Sequence, residues 1–189
     1  MKETHVFDAK NISVLESEDR KTWQNVDEIL GLIELKQNYL VADLGCGSGY
    51  FTIPISYKVK KIYGIDVQRE MLDFLEKKIN RYNLGNIELL LSKDDKIPLD
   101  DQSMDLLITI NTLHEFRTKE KVIEEIQRVI KTDGKAIVID FKKKNLDFGP
   151  PPEIRISKNK AKQLFEEKGF KFVKSNELLY HYLIIFQKK

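Results

Sequence analysis

The chain has 189 residues, enough for one domain with a buried core, and its 32 basic and 30 acidic residues leave a net charge of +2. Charges of both signs are interspersed, which excludes the footprint of a nucleic-acid binder. No run approaches the roughly 18 apolar residues needed to cross a bilayer, so no membrane partner is expected. The single cysteine, Cys46, excludes an internal disulfide and fits a cytoplasmic setting, and Met1-Lys2-Glu3-Thr4-His5 is not followed by a signal-type apolar run.

Residues 1–38 precede the first strand. Trp23, Val26, Ile29, Leu30 and Ile33 recur at helical spacing, which predicts one amphipathic helix over Thr22–Leu35. From Tyr39 onward, strands and helices alternate, the signature of parallel βαβ units. Strands are expected at Tyr39–Leu44, Lys61–Asp66, Ile87–Leu91, Met104–Ile110 and Lys135–Phe141, the last after a turn at Asp133-Gly134. The intervening helices are Tyr50–Tyr57, Arg69–Tyr82 and Lys119–Ile130. Residues 142–156, with Lys142-Lys143-Lys144 and Gly149-Pro150-Pro151-Pro152, are too rich in breakers for an element. Ser157 caps a helix to Lys168 that Gly169 stops, and two closing strands follow near Lys171–Glu177 and Leu179–Phe186. The whole, 1–189, reads as one α/β domain with no repeat or linker.

The informative stretch is Asp43-Leu44-Gly45-Cys46-Gly47-Ser48-Gly49-Tyr50, where a buried strand runs into a glycine turn that opens a helix. Roughly 20 residues later, Asp66 ends the next strand. Glycines admit close backbone approach by a nucleoside, and an acid at the next strand tip accepts its ribose hydroxyls. Gly45, Gly47 and Gly49 are spaced Gly-x-Gly-x-Gly, and Tyr50 stands where a dinucleotide loop needs a small residue. Asp43 would repel a pyrophosphate but attract a cation. The loop therefore favours an ammonium or sulfonium ligand, and a nicotinamide-dependent oxidoreductase is disfavoured.

With the later segments Ile97-Pro98-Leu99 and Leu113-His114-Glu115, these motifs resemble the class I S-adenosylmethionine-dependent methyltransferases, and the type 11 branch that includes ubiquinone and menaquinone C-methyltransferases in particular. The resemblance covers roughly residues 5–189 in element order. It implies a single doubly wound, Rossmann-like seven-stranded sheet of order 3-2-1-4-5-7-6, the seventh strand antiparallel, with helices on both faces. Residues 39–189 would form this core, and 1–38 a segment over the cofactor cleft, with His5, Phe7 and Arg20 as pocket residues or as anchors of a terminal arm.

The resemblance also implies S-adenosylmethionine as cofactor and S-adenosylhomocysteine as product. Gly45 and Gly47 would face the methionine part, with Gly49 completing the turn, Asp43 near the ammonium and Asn111 at the same end. Asp66 would take the ribose diol and Val67 pack on adenine. Cys46, within the loop, reads as a small packing residue. Lys93 stands where relatives place an adenine-binding Asp, so Asp94 is the substitute, or else part of a solvated loop.

His114, just past the fourth strand, is the candidate general base for an acceptor that must lose a proton; the alternative is a structural hydrogen-bonding role. His181 reads as structural. Arg155 would bind an anionic acceptor or be solvated. No Asn-Pro-Pro-Tyr or Asp-Pro-Pro-Tyr follows the fourth strand, which leaves a small-molecule methyl acceptor as the expectation. A non-catalytic cofactor-binding subunit is the alternative. The apolar stretch Leu178–Phe186 fits either a homodimer edge or, in a monomer, an internal hairpin.

Overall fold

A computed structural model describes residues 7–93 and 95–189, so His5 and Asp94 lie outside the described residues. Strands whose apolar residues occupy both faces must be covered on both sides, and this requirement sets the architecture. Three short helices, α1 (Ile12–Leu15), α2 (Asp19–Trp23) and α3 (Val26–Gly31), precede β1 (Leu40–Leu44). Then come α4 (Thr52–Ser56), β2 (Lys61–Asp66), α5 (Arg69–Tyr82), β3 (Ile87–Leu91), β4 (Met104–Ile110), α6 (Lys119–Val129) and β5 (Ile130–Phe141). The chain closes with α7 (Lys158–Glu167), β6 (Phe170–Glu177) and β7 (His181–Lys188). The sheet order is β3-β2-β1-β4-β5-β7-β6, with β7 antiparallel to both neighbours, as the resemblance implies.

One face packs against α6 and α7 through Val122, Ile123, Ile126, Leu164 and Phe165. The other packs against α3 and α4 through Ile29, Leu30 and Ile55, while Leu72 and Leu75 of α5 meet Cys46. Because β7 lies inside the sheet, the apolar stretch before Phe186 is buried within the chain.

Two local expectations are corrected. The single helix over Thr22–Leu35 is two helices, broken at Gln24-Asn25. The Asn25 side chain caps α3 by accepting from the Glu28 amide at 3.0 Å, and an Asx residue that satisfies a helix start ends the helix before it. β5 begins at Ile130, not Lys135, because the Asp133-Gly134 turn is an excursion within the strand. Pairing jumps from Met104↔Ile130 to Leu106↔Lys135. A Cβ on Gly134 would lie 2.9 Å from the Lys131 carbonyl and 3.1 Å from that of Asp105, which only glycine avoids.

Candidate active site

The carboxyl ends of β1, β2, β4 and β5 converge where the sheet order reverses, the place at which doubly wound sheets bind ligands. Leaving β1, the chain turns back over β2: the Gly45 and Cys46 amides both donate to the Ile65 carbonyl, at 2.8 and 3.0 Å. Gly47 has φ +50°, and its amide donates to one Asp66 oxygen at 2.9 Å; the other oxygen accepts from the Gln68 amide at 2.9 Å. Three loop amides are thus spent on the protein itself, which removes the donor cradle a phosphate requires. Gly49, at φ +82°, faces the Leu75 side chain, so its small size serves helix packing. Cys46 is buried beside Leu72 and Leu75, and burial pushes its thiol well above the usual range, as expected of an inert packing residue.

Asp43 is buried at 2% exposure and accepts from the Thr52 hydroxyl at 2.6 Å. Burial raises its carboxyl to about 7, the Asp66 charge adding to the rise and the Thr52 bond and Arg20 opposing it. Burial also raises Asp66. Asn111, at φ +57°, donates from Nδ2 to Gln24 Oε1 at 3.1 Å, while its buried Oδ1 has no partner among the described residues; neither has the Ser48 hydroxyl. Val67 is 50% exposed beside Asp66.

The N-terminal segment lies against this cleft. Phe7 accepts from Gln68 Nε2 at 2.8 Å, and Leu15 sits 3.6 Å from where a Gly47 Cβ would be. Glu16 pairs with Lys78 at 2.9 Å. Arg20, buried, donates to Gln24 Oε1 and the Leu15 carbonyl, and its guanidinium stacks 4.0 Å over Tyr50. Burial lowers Arg20 to about 10. Tyr50 donates to the Gln24 carbonyl at 3.1 Å, so its bulk anchors this segment.

His114 is buried. Its Nδ1 lies 2.8 Å from Asp140 Oδ1, its amide donates to Asp140 Oδ2 at 3.1 Å, and its Nε2 is 3.8 Å from Glu115. Burial opposes its protonation, but the Asp140 bond and the charges of Asp140 and Glu115 outweigh it, so the imidazole stands above its ordinary value. Burial lifts the Glu115 carboxyl to about 7, with His114 opposing.

Arg155 binds no anion. It is 2% exposed, and its nitrogens donate to the carbonyls of Pro150, Lys144 and Phe148 at 2.7, 2.7 and 2.9 Å, knitting residues 142–155 together. Sequence reasoning passed over Asp140, Gln24 and Glu115. The available signal for Asp140 was a lone acid in the apolar run Ala136–Phe141, where burial demands a partner.

The group expected here, S-adenosylmethionine, suits the donor set. Asp43 is a buried acid in no ion pair among the described residues, Asn111 Oδ1 is an orphaned acceptor, and each Asp66 oxygen keeps a lone pair for a hydroxyl.

A family model described as a methyltransferase domain matches residues 35–183. A structure of an S-adenosylmethionine-dependent methyltransferase from Aquifex aeolicus is 32% identical, with a TM-score of 0.92, covering 97% of this chain and all of the other. A demethylmenaquinone methyltransferase from Lactobacillus johnsonii is 33% identical over 113 residues, 57% of this chain and 46% of that protein. The uncharacterized methyltransferase YcgJ of Bacillus subtilis is 26% identical over 117 residues, 60% of this chain and 46% of its own length. The chain therefore spans about half the length of these two relatives.

Proposed function

This chain belongs to the class I S-adenosylmethionine-dependent methyltransferases, type 11 branch, and we propose that it methylates a small-molecule acceptor held between its N-terminal segment and the ends of β4 and β5. The observation that carries this reading is the roof over the acceptor end: Trp23 of α2 meets Phe148 of the 142–156 loop at 5.2 Å, which leaves an aromatic slot and not an open track for a polymer. The Lactobacillus relative, named for a quinone substrate, supports it.

When bound, S-adenosylmethionine supplies a methyl group on a cationic sulfur, taken by in-line displacement. Asp66 would bind the ribose hydroxyls, with Val67 against adenine and Asp94 at its edge. Asp43 and Asn111 would serve the cationic amino-acid end, the carboxylate matching the ammonium and Oδ1 receiving its proton. His114 holds a proton on Nδ1 against Asp140, so its Nε2 is the atom that would accept one from the acceptor. Leu15, Arg20 and Trp23 would exclude water above the reacting atoms. The same reading has the protein cytoplasmic, with its lone cysteine reduced. It is a monomer, because β7 buries the stretch that a homodimer edge would need. Among the described residues no helix is long and apolar enough to cross a membrane.

The test is release of S-adenosylhomocysteine across a panel of small acceptors. Turnover is expected to rise with pH through a value above about 6.5 as His114 loses its proton. His114→Ala should lower kcat about 10²-fold and abolish that limb. Full activity in His114→Ala would remove it as the base, and turnover confined to protein or RNA acceptors would overturn the small-molecule reading.

A further inference from the structure

His181 begins β7 opposite Phe141, the last residue of β5. Its ring lies 4.3 Å from Phe141 and stacks on Trp23 at 5.9 Å and 20°, while Phe148 closes the group against Trp23. It is 1% exposed, yet neither ring nitrogen has a hydrogen-bond partner among the described residues. A phenylalanine would fill the same space without stranding an N–H and a lone pair, a loss of about 1–3 kcal/mol for a buried polar group. A purely structural role does not account for an imidazole here.

We infer that His181 is a recognition residue for the methyl acceptor, and that the acceptor is a flat aromatic ring carrying a hydroxyl, bound among Trp23, Phe141 and Phe148 with that hydroxyl on His181; this rests on the small-molecule methyltransferase reading. Three observations converge on the class. The surrounding side chains are aromatic, so they take a planar ring by stacking. The charges that bear on His181 are those of Arg20, Lys142 and Arg155, all cationic. They keep the imidazole neutral, one nitrogen a donor and the other an acceptor, and they disfavour an amine while favouring a hydroxyl or its anion. Phe141 is also in edge contact with His114, ring centroids 6.4 Å apart, so a ring lying along Phe141 reaches from His181 toward the base. Trp23 and Phe148 are half-buried and come from segments outside the sheet, which makes them the walls that part for entry, while Phe141 and His181 stay on strands.

The experiment is calorimetry on the full chain saturated with S-adenosylhomocysteine, titrated with 2-naphthol and, separately, with the cationic 2-naphthylmethylamine. The naphthol is expected to bind at least tenfold more tightly than the amine. His181→Phe, which keeps the packing, should lose at least tenfold for the naphthol, and His181→Gln should recover part of it. Affinity for S-adenosylhomocysteine should be unchanged in both variants, which separates this inference from the cofactor reading. If S-adenosylhomocysteine itself gives no heat, the methyltransferase reading fails and this inference falls with it. If it binds while the naphthol gives no heat, the amine binds as well, or His181→Phe matches the unmodified protein, the inference alone is overturned.

Discussion

Asp43 shows what a binding site costs at the level of one side chain. A buried carboxyl raised from 3.8 to about 7 favours the folded state fully below pH 3.8. That contribution is lost as pH rises through about 7, because the folded protein must then hold an unpaired charge. Asp43→Asn keeps an acceptor for the Thr52 hydroxyl and removes the charge. It should melt a few degrees higher than the unmodified protein at pH 8, with the difference shrinking toward pH 4, by differential scanning calorimetry. It should also bind S-adenosylmethionine at least tenfold more weakly, since a buried charge is useful only to a cation. Higher stability with unchanged affinity would place the ammonium elsewhere.

Residues of this kind were legible in the sequence because their roles follow from backbone position: glycines with positive φ, and acids at the tips of consecutive strands. Arg20, Gln24, Asp140 and His181 acquire their roles only through contacts between distant segments, and His181 read as merely structural for that reason.

Among the elements, long periodic segments declared themselves. Lys61–Asp66, Arg69–Tyr82, Ile87–Leu91 and Met104–Ile110 fall where their apolar spacing predicts. Short N-terminal helices did not, since Val26, Ile29 and Leu30 continue the period of Trp23 while the Asn25 cap breaks it. The same competition between local capping and periodicity moved the start of β5. The 142–156 loop is a further case: its prolines mark irregular backbone, but the clamp that orders it is one guanidinium. Arg155→Met should strand several carbonyls, at about 1–3 kcal/mol. Limited proteolysis should then cut within 142–156 faster than in the unmodified protein, and melting should fall by several degrees. Equal protection of the loop would show that Phe148 and its neighbours hold it without Arg155.

At the scale of the molecule, the doubly wound order brings β1, β2, β4 and β5 to one edge, and the N-terminal segment crosses that edge from Phe7 to Gln24. Sheet order came from the motifs' resemblance, as apolar periodicity distinguishes strands from helices but not one strand neighbour from another. The cleft therefore depends on a single pairing, a phosphate-poor loop folded onto Asp66. The direct test is isothermal titration of S-adenosylmethionine and NAD into the unmodified chain and Asp66→Ala. The account predicts heat from S-adenosylmethionine and none from NAD, with a loss of about a hundredfold or more in the variant, in keeping with two hydrogen bonds to a charged acceptor. Equal affinity in Asp66→Ala, or binding of NAD alone, would contradict it.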